Sequence, residues 1–205
     1  MSSSTFKVLS LIISAFAIVQ ITRAGDPDIL TDFVAPIGFP VDANFFTYTG
    51  FRVVIGQNTP LLEFKVLKAS MIEFPALIGQ SVSYAVLQFP AGSINPPHTH
   101  PRSAELLFVA QGTLQVGFVD TTNKLFTQIL ETGDLFIFPK GLVHFQQNVH
   151  PKIPALAISA FGSANAGTIS LPNTLFNTTI DDTVLALAFK TNVSIIETLK
   201  KGFAP

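Results

Sequence analysis

Between Phe51 and Phe161 the sequence is a succession of short β-rich runs, each cut off by turn residues. This punctuation constrains the fold more than any other feature. Pro90-Ala91-Gly92, Gln111-Gly112-Thr113, Thr132-Gly133-Asp134 and Pro139-Lys140-Gly141 recur at short spacing. The runs between the turn signals give candidate strands at 51–55, 61–67, 81–89, 105–110, 113–119, 125–130, 134–138, 143–149 and 155–161. Several alternate with the two-residue period of a strand. Leu135 and Ile137 oppose Phe136 and Phe138, and Val82, Tyr84 and Val86 oppose Ala85, Leu87 and Phe89. In the second run both faces are apolar, so it is expected to be buried on both sides. Regular short strands with this punctuation indicate an all-β sandwich or barrel.

The flanks read differently. Residues 25–50 are rich in Asp, Pro and Gly without a period, as in an extended arm. Beyond residue 170 the texture turns helical. Asp181 and Asp182 precede good helix formers from Thr183 to Lys190, and Ser194-Ile195-Ile196-Glu197 has capping-box spacing, with Lys200, Lys201 and Gly202 as end signals. Two short C-terminal helices are expected within about 180–202. Their apolar residues Val184, Leu187, Ile195 and Leu199 need a surface to pack on. No linker divides the chain, so residues 25–205 read as one domain with its barrel at about 51–161.

Residues 1–24 have the form of a secretory signal peptide. Lys7 precedes an apolar run from Val8 to Ile21, and Thr22-Arg23-Ala24 places small residues at −3 and −1 of a cleavage site. The run is short of the roughly 20 apolar residues of a membrane span. The chain is therefore expected to be secreted, to start at Gly25 and to be soluble. Asn177-Thr178-Thr179 and Asn192-Val193-Ser194 are glycosylation sequons. With no Cys, disulfides, thiolate metal sites and thiol nucleophiles are excluded. A net charge of −1 argues against nucleic-acid binding. Only 12% of residues are charged while 48% are hydrophobic, with 20 Phe; a typical chain is about one quarter charged.

Chemistry concentrates in two glycine-bounded stretches. The first runs from Gly92 through Asn95, His98, His100 and Glu105 to Gly112; the second runs from Gly133 through Pro139, Gly141 and His144 to Asn148. At i, i+2 on a strand, His98 and His100 share a face, and two neutral imidazoles side by side point to a shared metal ion. Strict alternation would turn Glu105 to the opposite face; a bend at Pro101 would re-aim it inward. His144 comes from a later strand that a barrel can bring opposite. Three imidazoles and a carboxylate would leave two positions open on an octahedral ion. Imidazole suits Zn, Cu, Fe and Ni, the carboxylate moves the preference toward Mn, and divalent affinity favours Cu over Mn, so the ligand chemistry by itself leaves the choice of metal open. Asn148 reads as a strand-end hydrogen-bonding residue and His150 as a surface residue.

The two stretches fit the spacings G(x)5HxH(x)4E(x)6G and G(x)5PxG(x)2H(x)3N of the cupin superfamily. The wording NPPHTHPR and FPKGLVHFQQN, with GDPDILTDF near the start of the arm, closely resembles plant germins and germin-like proteins. The resemblance implies a cupin jelly-roll β-barrel with an N-terminal extended arm and short C-terminal α-helices. It implies a manganese ion held by His98, His100, Glu105 and His144, and secretion to the apoplast or cell wall. It further implies a homo-oligomer, a hexameric trimer of dimers clasped by the C-terminal helices. Two departures stand out. Val34 occupies the position of the first cysteine of a disulfide found in many germins. Ala85 aligns with one of two asparagines of oxalate-oxidising germins, the other matching Asn95. Alanine cannot donate a hydrogen bond to a carboxylate, which argues against oxalate oxidase activity.

Two functions follow from this reading. The first is a manganese-dependent oxidoreductase of superoxide-dismutase type, generating H2O2 in the wall, with a defence role and with Asn95 orienting a bound small oxygen species or small carboxylate. The second is a non-enzymatic, metal-stabilised wall, receptor or storage-like glycoprotein using the same ligands. The low charge is then accounted for by burial between subunits.

Overall fold

The computed structural model describes residues 25–54 and 61–203. The expected signal peptide, residues 1–24, lies outside them. Among the described residues the strands are β1 (Lys65–Ala69), β2 (Ser83–Phe89), β3 (Ile94–Thr99), β4 (Glu105–Gln111), β5 (Thr113–Val119), β6 (Leu125–Glu131), β7 (Leu135–Phe138), β8 (Val143–Gln147), β9 (Ala155–Phe161) and β10 (Ile169–Ser170). They form two five-stranded antiparallel sheets, in the orders β1-β2-β9-β4-β7 and β10-β3-β8-β5-β6. This is the all-β jelly-roll expected from the sequence.

Period-2 alternation builds the core. Ala85, Leu87 and Phe89 of β2, Leu107 and Val109 of β4 and Ala155 and Ala157 of β9 face inward from one sheet. Leu114 and Val116 of β5 and Leu130 of β6 meet them from the other. The outward positions are apolar too. Leu106 and Phe108 of β4 and Leu135 and Ile137 of β7 are exposed in the single chain. The expectation that both faces of 81–89 are buried holds at Val86 and fails at Val82 and Tyr84, which are exposed.

The strand expectations need four corrections, the smallest being that β10 was not anticipated. Residues 50–54 form a 3-10 turn rather than a strand. The strand expected at 61–67 begins at Lys65, because Lys65 pairs with Gln88 near the end of β2; residues before it would run past Pro90, which has no N–H to offer a ladder. Strand β3 was hidden by Pro96 and Pro97. The structure accommodates the prolines in a bulge: Asn95 pairs with Gln146 and His98 with His144, with a register shift between them.

The arm is anchored without a disulfide. Asp26 accepts hydrogen bonds from Ser163 Oγ at 2.7 Å and from the Ala164 N–H at 2.6 Å. Tyr48 donates to the Lys68 carbonyl, and Phe33 packs edge-on against Phe46. At the other end lie three helices, α1 (Leu171–Phe176), α2 (Asp182–Ala188) and α3 (Val193–Phe203); α1 was not anticipated. Asp181 caps α2 by accepting from the N–H groups of Thr183 and Val184. The cap of α3 is Asn192 rather than the expected Ser194. Asn192 Oδ1 accepts from the Ile195 N–H and also from Ser194 Oγ, which sits inside the helix. Gly202 does not stop the helix. Leu185, Ala186 and Ile196 form a small core with Leu175, Phe176 and Ile180. Val184, Leu187, Ile195 and Leu199 instead point outward. No helix among the described residues is long and apolar enough to cross a membrane.

Leu107 is fully buried between the sheets. Leu107→Ala should lower the free energy of unfolding by about 2–5 kcal/mol, read from denaturant melts of the chelator-treated protein.

Candidate metal centre

His98 on β3 and His144 on β8 are directly opposed in an antiparallel ladder, so both project to the same face, with ring centroids 4.1 Å apart. His100 follows just after β3 ends. Its chain then turns at Pro101-Arg102, where the Arg102 N–H donates to the Ala166 carbonyl and the guanidinium donates to the Asn165 carbonyl. Glu105 opens β4 in the other sheet, in register with Phe138 and Phe161. The bend expected at Pro101 is present as this turn, and it re-aims Glu105 inward by carrying the chain into the other sheet. The chain crosses between sheets after His100, so counting alternation through the turn has no meaning there.

The four side chains are buried, with Glu105 only 1% exposed. One donor atom from each lies within 4.8 Å of the others. The imidazole orientation is fixed from behind. His98 Nδ1 is 2.8 Å from the Pro96 carbonyl, His144 Nδ1 is 2.8 Å from the Leu142 carbonyl, and His100 Nδ1 meets the Gly167 carbonyl. A carbonyl only accepts, so each Nδ1 carries a proton, and each ring, when neutral, presents an Nε2 lone pair to the centre. Glu105 Oε2 lies 3.0 Å from Nε2 of both His100 and His144. Lone pairs facing a carboxylate oxygen at that distance repel unless a cation lies among them. Burying them is costly without one. Three imidazoles and one carboxylate are a donor set that a divalent first-row metal satisfies.

The other carboxylate oxygen is held separately. Glu105 Oε1 accepts from Ser159 Oγ at 2.6 Å and from Gln146 Nε2 at 3.2 Å. Gln146 Oε1 in turn accepts from Asn95 Nδ2 at 2.7 Å. Burial alone would raise the Glu105 pKa, but in the metal-free chain His100 and His144, when protonated at Nε2, donate to Oε2 and supply positive charge, which outweighs burial and holds the carboxyl well below its usual range. Burial, and then the neighbouring His144, push His98 down from 6.5 to about 4, against the opposing pull of Glu105. Both residues therefore favour the unprotonated forms that bind metals.

Beside the quartet opens a cavity of about 390 Å3, walled by Val66, Ala85, Leu87, Asn95 and Phe161 among others. Asn95 thus lies where the sequence suggested, although one of its N–H groups is committed to Gln146. Ala85 presents only a methyl group to the cavity wall. Asn148 is fully buried and donates to the carbonyls of Phe89, Pro90 and Ile153, the strand-end role expected of it. His150 lies at the surface, partly covered, and its Nδ1 accepts from the N–H groups of Lys152 and Ile153 in a turn. Asn177 and Asn192 are exposed, away from the centre. Gln146 and Ser159 were not singled out by the sequence. A serine in the inward row Ala155, Ala157, Ser159 was the signal available.

The cupin family profile matches residues 64–197. Germin-like protein 9-3 of Oryza sativa subsp. japonica is 55% identical over 99% of this chain and 98% of its own length. Nectarin-1 of Nicotiana plumbaginifolia is 39% identical over 99% of this chain and 95% of its own. A solved oxalate oxidase, in complex with the substrate analogue glycolate, superposes with a TM-score of 0.77 at 33% identity, covering 87% of this chain and 98% of that one.

The depressed His98 pKa sets a pH dependence for the metal-free protein. Neutral His98 is favoured in the folded state, so its contribution is complete above 6.5 and is lost as the pH falls toward about 4. The melting temperature of chelator-treated protein should fall across that window, and His98→Gln should flatten the fall. An equally steep fall in the variant would contradict the assignment.

Proposed function

The chain belongs to the germin-like proteins of the cupin family, and on that premise we propose that it is a secreted, manganese-binding oxidoreductase of superoxide-dismutase type acting in the plant cell wall. The observation that carries this reading is the convergence of three Nε2 lone pairs and one carboxylate oxygen on a single buried point. His98, His100, Glu105 and His144 would hold the ion. Manganese would supply one-electron exchange between its divalent and trivalent states. The reaction consumes two superoxide ions and two protons and yields O2 and H2O2.

The residues around the centre support it. The Nδ1–carbonyl bonds keep the three imidazoles from turning away. Asn95 Nδ2 gives one N–H to Gln146 and also lies 3.5 Å from His98 Nε2; with an ion held on that nitrogen, the second N–H would be released to orient a small anion in the cavity. The mainly apolar wall limits the water around the centre. A solved relative is an oxalate oxidase, but here the methyl of Ala85 offers no donor to a dicarboxylate, which argues against that substrate.

A second reading has its own support. The ligand set joins β3 and β8 of one sheet to β4 of the other, so the ion would staple the barrel whether or not it turns over. The protein would then be a metal-stabilised binding or storage-like wall component. Secretion in either reading rests on the residue 1–24 pattern, with cleavage after Ala24. Exposed Asn177 and Asn192 are the proposed glycan sites.

Purified protein should contain close to one manganese per chain and dismutate superoxide. Chelation should abolish both, and His98→Ala or Glu105→Ala should lower metal content at least tenfold. A manganese-loaded protein without dismutation would leave the stapling reading; unchanged metal content in both variants would refute the ligand assignment.

We further propose that the outward apolar rows of β4 and β7 and the exposed apolar residues of α2 and α3 pack against other copies of the chain, as in the hexamer expected from the sequence. Sedimentation should give a species several times the 22.1 kDa chain mass. A stable, soluble monomer would contradict it.

A further inference from the structure

Ser159 is fully buried, in the inward row of β9 that otherwise carries Ala155, Ala157 and half-buried Phe161. A hydroxyl there is costly unless it is bonded. It lies across from Leu107 of β4, two positions along the ladder from the pair Glu105 and Phe161, so it reaches Glu105 diagonally on the same face. At 2.6 Å its bond to Oε1 is the shortest the carboxylate makes. The bond is charge-assisted, and such bonds are about twice as strong as neutral ones.

The two oxygens of Glu105 are thereby made unequal. Oε2 faces Nε2 of His100 and His144, while Oε1 is turned to Ser159 and Gln146. We propose that Ser159 is a positioning residue: by donating to Oε1 it holds Glu105 as a one-oxygen ligand and tempers the charge offered to the metal. Gln146 assists from β8, itself oriented by Asn95. Without the hydroxyl, Oε1 keeps one partner, and the carboxylate gains freedom to rotate or to offer both oxygens. Loss of such an outer partner typically costs about 10- to 100-fold in metal affinity.

This inference rests on the proposed metal-binding role of the quartet, and the test separates the two. Chelator-treated wild type, Ser159→Ala and Glu105→Ala are titrated with Mn(II), following the free-ion EPR signal for affinity and the bound-ion spectrum for ligand symmetry. The metal-free forms are melted in parallel. Wild type should bind and Glu105→Ala should not; Ser159→Ala should bind about 10-fold or more weakly, with an altered bound spectrum. If wild type does not bind, the metal reading itself fails, and this inference with it. If wild type binds and Ser159→Ala matches it in affinity and spectrum, only the positioning role is overturned. A change confined to the metal-free melting temperature also overturns it, because that is what a packing role alone would give.

Discussion

A carboxylate buried against the lone pairs of neutral imidazoles is the constraint on which the rest depends. Glu105 enters from one sheet, and His98 and His144 enter as a cross-strand pair from the other. Each imidazole is locked from behind by a backbone carbonyl, so none can swing its N–H toward the carboxylate. The arrangement is unfavourable without a cation at its centre. With one, it joins the two faces of the jelly roll. Fold and site are thus aspects of one requirement.

The backbone serves this centre in specific ways. The bulge across Pro96-Pro97 brings His98 into register with His144. The carbonyls of Pro96 and Leu142, each two residues before the imidazole it holds, turn a local chain bend into a fixed tautomer. Gly112 closes the first glycine-bounded stretch for a steric reason. Its φ of +82° is left-handed, and a Cβ there would come within 2.8 Å of the Pro154 carbonyl. The glycine frame therefore reflects turn geometry, while the histidines and the glutamate inside it carry the chemistry.

Much of this was legible in the sequence because it depends on local spacing. Alternation and turn residues made an all-β sandwich or barrel and eight of the strands readable; the spacing within the two glycine-bounded stretches singled out the four buried residues, and the jelly roll was implied by the resemblance to germins. Strand β3 was not readable, because two prolines mask a strand unless a bulge is foreseen. The bend at Pro101 and the inward aim of Glu105 were foreseen, but the change of sheet was not: alternation is a property of one strand, and the chain changes sheets between His100 and Glu105. Ser159 and Gln146 carry no motif; their roles exist only once β9 and β8 are folded beside the carboxylate. The cap of α3 moved from Ser194 to Asn192 because both side chains are competent and only the folded turn chooses between them.

The apolar surface that the single chain exposes and the polar centre that it buries point to separate levels of organisation, assembly outside and metal binding within. The inner level is tested most directly by anomalous diffraction at the manganese edge from crystals of the full protein soaked in Mn(II). The account predicts one strong peak per chain, within bonding distance of Nε2 of His98, His100 and His144 and of Glu105 Oε2. A well-ordered quartet with no peak among its four donor atoms would contradict it.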